Sequence, residues 1–227
     1  MDERAIESAL AACEQALASG DTPDLRETGF WRAVAAVKRR PHLATAYADR
    51  IARIDRAVFR RRVRLVFPAP VGVVLLTGGA IVDVAFLVAA AQVASPAREI
   101  LLLLGAAGLD IATHGLAHLI VGAAAGIRFT DWFIDLPKRP QPGFKINYAS
   151  YLRTPARSRA WMHASGAIAT KLAPFAVLAY ALLIGVDAWA AAVLVVVGVL
   201  QIVSDLTLSV RSSDWKKFRR EMRYRTT

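Results

Sequence analysis

Cysteine is almost missing from this chain of 227 residues: Cys13 stands alone. A disulfide-framed secreted domain is thereby excluded. Acidic residues are scarce too, 18 Asp+Glu against 29 Lys+Arg, for a formal net charge of +11. Histidine occurs only at His42, His114, His118 and His163, too few for a di-iron centre of the histidine-box type. What the chain has in excess is oil. Its hydrophobic content is 56%, above the ~45–50% usual for soluble domains, and this excludes intrinsic disorder. No internal repeat and no low-complexity tract stand out beyond a richness in alanine. A plain nucleic-acid binder would keep charge and apolar residues in separate segments. They are separate here, but the separation has another explanation.

Four runs, at about 71–93, 100–124, 161–186 and 188–210, are almost free of charge. Each supplies the ~20 apolar residues that cross a ~30 Å hydrocarbon core. Of the 29 basic residues, 27 lie in 1–70, 127–160 and 211–227, and the two short connectors between runs offer only Arg98. The positive-inside rule then places both termini and the 127–160 loop in the cytoplasm. Trp132, Trp161 and Trp215 would mark the inner boundary and Trp189 the outer one. The charge is accounted for by topology and by anionic membrane lipid, with no nucleic-acid partner. The N-terminus (MDERAIESAL) is acidic and amphipathic rather than a secretory signal, so the first span is expected to direct insertion.

The expected fold is an all-α integral membrane protein. Residues 1–66 form a cytoplasmic helical cap, 67–210 a four-span bundle with the cytoplasmic loop 127–160, and 211–227 a basic tail. Leu43, Tyr47, Ile51, Ile54 and Val58 are spaced as one face of an amphipathic helix. In the loop, the alternation around Phe129 and from Phe144 to Tyr148 predicts a short β-hairpin, with a turn over Pro137–Gly143. Its edge could take a membrane protein or peptide by strand addition. Gly105, Gly108, Gly115, Gly122 and Gly126 give the second span a small face suited to close helix packing.

The charges that disobey this sorting are few: Asp83, Asp110, His114, His118, Lys171 and Asp205. Ionisable groups inside a bilayer are costly and mark functional sites by default. Asp110, His114 and His118 fall at i, i+4 and i+8, on one helix face. Histidines at i and i+4 can place ring nitrogens on one Zn²⁺, with Asp110 better placed to orient His114 than to join it. A third ligand is needed. At ~1.5 Å per residue, His114 and His118 lie roughly 22 and 28 Å into the second span, and Asp205 lies roughly 26 Å into the fourth. Asp205 thus matches the pair in depth, and His163 opens the third span at the same face. Lys171 is expected to pair with Asp83 or Asp110. The alternative use of Asp83, Asp110, Lys171 and Asp205 is a proton or ion path.

His114 and His118, followed by Gly122, Gly126 and Phe129, resemble the signature helix of the site-2 protease family of intramembrane zinc metalloproteases, whose motif is H-E-x-x-H. Ala164, Ser165, Gly166 and Ala167 resemble that family's small-residue Gly-Pro motif, with Ala167 where proline is usual and Thr170 where asparagine is usual. Asp214 to Arg220 resembles the segment bringing the third ligand, with Trp215 and Lys216 in place of two glycines. The resemblance covers about residues 71–220 and implies Asp214 as the ligand, which a kink near Ser209–Ser213 would permit. Asp205 and Asp214 therefore stand as alternatives. Gly115 occupies the position of the glutamate that acts as general base, and glycine cannot move a proton. The resemblance implies a zinc scaffold impaired in proteolysis and turned to binding a membrane partner or peptide. An active protease with an atypical base is the alternative.

Overall fold

The computed structural model describes residues 1–135, 139–207 and 213–225, with the backbone alone described at 139–141, 206 and 225. It is 76% helical, with one small sheet. Two compact units are formed: one from residues 1–70, 122–159 and 221–227, the other from 71–121 and 160–220.

The first unit gathers segments that the sequence reading kept apart as cap, loop and tail. Its helices are α1 (Glu3–Ala18), α2 (Phe30–Arg39) and α3 (Leu43–Arg62). Asp2 caps α1 by accepting from the Ala5 N–H at 2.8 Å, and Gly20, at φ +90°, takes the left-handed turn that ends it. Along α3, Leu43, Tyr47, Ile51, Ile54 and Val58 are all buried, as their spacing requires, against Ile6, Leu10, Phe30 and Val37. The short α6 (Tyr148–Arg153), capped by Asn147, adds Ala149 and Leu152 to the same core.

The loop does contain an antiparallel hairpin, β2 (Phe129–Asp135) with β3 (Arg139–Ile146). Pro137 and Lys138 of the expected turn lie outside the described residues, and β3 is already under way where the turn was expected to continue. The hairpin is also not alone. β1 (Leu65–Pro68) pairs antiparallel with β2, Leu65 opposite Ile134 and Pro68 opposite Asp131, so β2 is the central strand. This closes one of the two edges of the expected hairpin. Trp132 packs against Phe67 and is 8% exposed, so its ring is used in the sheet rather than at a lipid boundary.

Charges buried in this unit are paired. Asp131 accepts from Arg60 at 2.6 Å, and Lys145 reaches the buried Asp55 at 2.5 Å. Glu221 is fully buried between Lys38 (2.5 Å) and Arg159 (2.8 Å). Such burial is tolerated only because every charge finds its opposite.

The second unit carries α4 (Ala69–Ala90), α5 (Ala97–Ala124), α7 (Ala156–Ile184) and α8 (Ala188–Thr207), four helices long and apolar enough to cross a membrane. Their described bounds lie within a few residues of the expected runs, except that residues 208–210 are outside the description. Ala90, Leu102, Ala106, Val177, Ala181 and Leu194 form a small shared interior. Large apolar side chains elsewhere face outward; Leu183 is 85% exposed. An apolar surface of this extent belongs in lipid or against another protein. Small residues bring α4 and α5 together: a Cβ at Gly105 would stand 2.7 Å from the Asp83 carbonyl oxygen. The short α9 (Asp214–Met222) follows.

Candidate metal centre

α5 holds His114 and His118 one turn apart on one face, their rings 4.7 Å apart and nearly perpendicular. What α7 presents to them decides their chemistry. The Thr170 hydroxyl donates to the Gly166 carbonyl at 2.8 Å. With its one proton used there, its oxygen accepts from Nδ1–H of His114 at 2.9 Å. Nδ1 of His118 lies 2.6 Å from the Met162 carbonyl, which can only accept, so this nitrogen also carries its proton. Each ring thus has its Nδ1 engaged from α7, which leaves Nε2 as the nitrogen free to meet other partners.

Both Nε2 atoms lie near the same oxygen. Oδ2 of Asp214, the first residue of α9, is 3.5 Å from Nε2 of His114 and 3.2 Å from Nε2 of His118. Around an ion with bonds of 2.0–2.1 Å, the edge of a coordination tetrahedron is about 3.3–3.4 Å. The two nitrogen-to-oxygen separations match such an edge, and all three donor atoms lie within 4.8 Å of one another. Nε2 of His118 is within hydrogen-bond distance of Oδ2, a contact that a bound metal ion would replace. Two imidazoles and a carboxylate are a donor set suited to zinc. His114, His118 and Asp214 thus form a group able to hold a metal ion.

Asp214 is further held by Lys217, whose ammonium donates to Oδ1 at 2.9 Å, leaving Oδ2 toward the histidines. Burial is the largest influence on the Asp214 carboxyl and opposes its ionisation. His118 and Lys217 together outweigh it, and the group is held well below the usual carboxylate range.

Gly166 makes the closeness of α7 possible. A Cβ at this position would overlap Nε2 and Cε1 of His118. The Gly166→Ala protein is therefore expected to displace that ring and weaken zinc binding by about 10–100-fold, as disturbed ligand orientation commonly does. Titration against a chromophoric chelator measures this, and wild-type affinity in the variant would show that the close approach is not needed.

The other residues singled out in the sequence go elsewhere. Asp205 is bound to Lys171, which also donates to the Ala167 carbonyl at 3.2 Å. Lys171 therefore pairs with neither Asp83 nor Asp110, as had been expected, because Asp205 of α8 faces it across α7. Asp110 does not orient His114: its Oδ2 accepts from the Gln201 amide at 2.9 Å, and Thr170 serves His114 instead. Asp83 packs its carboxylate against the bare backbone of Gly108. His163 is buried and outside the His114, His118 and Asp214 group. Gly115 follows His114 on α5 and offers no side chain. The expected kink at Ser209–Ser213 falls, except for Ser213, outside the described residues.

Lys217 and the Met162 carbonyl were missed. Three residues from Asp214 on a helix, Lys217 had a signal in its spacing; a backbone carbonyl has none. No family model, curated protein or solved structure matches this chain, so what the centre does rests on its own geometry.

Proposed function

We propose that this chain is an integral membrane protein whose Zn²⁺ centre, held by His114, His118 and Asp214, serves to bind a membrane protein or peptide rather than to cleave one. The reading takes α4, α5, α7 and α8 as spans, with the N-terminal helical cap, residues 127–160 and the C-terminus in the cytoplasm. The distribution of 27 of 29 basic residues supports that orientation. The likeness of His114 to His118 and of Asp214 to Arg220 to site-2 protease segments supports a common scaffold.

The observation that carries the proposal is the convergence of Nε2, Nε2 and Oδ2 beside a glycine. A zinc ion in such a centre supplies Lewis-acid polarisation and a more acidic bound water. Proteolysis also needs a positioned base, whose absence costs about 10²–10⁴-fold. Gly115 provides none. Thr170 is committed to His114 and Gly166, and the Lys217 ammonium beside Asp214 is a proton donor. Lys171 is tied to Asp205 and Asp110 to Gln201, contacts that read as helix-to-helix ties rather than a proton path. The second oxygen of Asp110 and the Gln201 carbonyl oxygen are buried with no hydrogen-bond partner among the described residues.

Metal analysis of the purified protein, together with incubation against a panel of single-span substrates, tests this. One zinc per chain, lost in His118→Ala, and no cleavage are expected. Absence of bound metal overturns the centre. Metal-dependent cleavage that His118→Ala abolishes overturns the binding role in favour of an intramembrane protease with an atypical base.

A further inference from the structure

The charge around the centre does not close on itself. Asp214 is the one carboxylate in the group with the two imidazoles, and its charge is already matched by Lys217 at 2.9 Å. Within the same unit, Asp205 is tied to Lys171, Asp110 to Gln201, and Asp187 to Ser95. Asp83 lies against Gly108 and the second oxygen of Asp110 is buried without a partner among the described residues, and neither residue belongs to the His114, His118 and Asp214 group. A divalent ion among His114, His118 and Asp214 would leave two uncompensated positive charges in a half-buried site. Lys217 has three N–H donors. One goes to Asp214 Oδ1, and it is the one hydrogen bond this ammonium makes among the described residues. The ammonium keeps some exposure, with 28% of its side chain accessible. It therefore has donors left for a ligand arriving beside Asp214.

We infer that the ligand completing this centre is a carboxylate, bound to the ion in its remaining position and to the ammonium of Lys217. The inference rests on the metal-centre reading and names the chemistry of the partner it would take: a peptide's terminal carboxylate or an Asp or Glu side chain. An anion answers the charge imbalance, and a carboxylate's two oxygens suit a pair of acceptors, one for the ion and one for the N–H. Gly115 bears on the same point. Where the protease motif places a glutamate beside the first histidine, Gly115 brings no carboxylate at that position.

Cobalt-substituted protein provides the test, because the visible spectrum of Co²⁺ reports on each ligand it gains. Acetate is expected to change the wild-type spectrum saturably, and acetamide, its neutral counterpart, to leave it alone. Lys217→Gln keeps a donor toward Asp214 but removes the charge. It is expected to retain the cobalt spectrum and to bind acetate about tenfold or more weakly, with Lys217→Arg restoring the affinity. Competition by a peptide with a free C-terminus but not by its amide would assign the terminal carboxylate. Competition by an amidated peptide containing glutamate would assign the side chain. An unchanged spectrum with acetate, equal effects of acetate and acetamide, or wild-type acetate affinity in Lys217→Gln would overturn the inference while the metal centre stands. A wild-type protein that shows no cobalt spectrum would overturn the centre itself.

Discussion

Asp214→Ala is expected to weaken zinc binding by more than about 100-fold, whereas Asp205→Asn is expected to leave it unchanged. The first figure is a lower bound, since even the partners that orient a ligand are worth about 10–100-fold each. Asp214 supplies the anionic atom of the group, placed 3.2 and 3.5 Å from the two ring nitrogens. Without it, two imidazoles remain, and Lys217 beside them loses its carboxylate partner. Asp205 has the same charge and a similar depth along the helices, but its carboxylate is engaged by Lys171. Zinc titrations of the two variants, with their folding checked by circular dichroism, separate the candidates. Loss of affinity in Asp205→Asn with retention in Asp214→Ala would reverse the assignment.

Glu221→Ala is expected to cost the first compact unit about 3–5 kcal/mol, the range found when one member of a buried ionic group is removed. Glu221 is fully buried, and both of its oxygens are used, one by Lys38 and one by Arg159, themselves 8% and 4% exposed. Its removal leaves two cations in a space that water does not reach. Replacing all three residues by apolar side chains of similar volume is expected to recover most of the loss, because the ionic group mainly offsets its own desolvation. The same contacts give a pH dependence of known sign. Burial, the largest influence, opposes ionisation of Glu221, but Lys38 and Arg159 prevail and hold its carboxyl below the ordinary glutamate value. A depressed native pKa stabilises the fold above the unfolded value, ~4.3 for glutamate, and that contribution is lost as pH falls through the native one. Denaturant unfolding followed by tryptophan fluorescence measures both effects. A cost below about 1 kcal/mol, or a loss of stability that Glu221→Gln leaves equally steep in acid, would show that the group is not holding the unit together.

How much was visible beforehand depends on the range of the interaction. The buried face of α3 was legible because Leu43, Tyr47, Ile51, Ile54 and Val58 repeat on the helical period, and that period is local. Four long apolar helices were legible because a run of twenty such residues has few alternatives. The hairpin was legible from alternation over two neighbouring segments. β1 was not: four residues behind an arginine cluster carry no period, and Leu65 becomes a strand residue by pairing with the distant Ile134.

The centre divides along the same line. His114 and His118 are one helical turn apart, so their sequence spacing already places them together. Depth along a span could rank Asp205 but could not say which way its side chain turns about the helix axis. It turns toward Lys171, and Asp214, from a new helix, is the carboxylate that arrives. The partners of the two Nδ1 atoms came later still, from Thr170 and the Met162 carbonyl, and the room for His118 from the missing Cβ of Gly166.

By itself, then, the amino-acid order determined the apolar helices, the segregation of basic charge, the histidine pair and the absence of a glutamate at Gly115, all set by composition or by spacing within one element. The tertiary structure alone decided that Asp214 is the carboxylate grouped with the histidine pair, that both Nε2 atoms lie beside it, and that Lys217 pairs with it. Each of these depends on atoms from separate helices meeting within about 3 Å, a distance that helix packing sets and chain order does not.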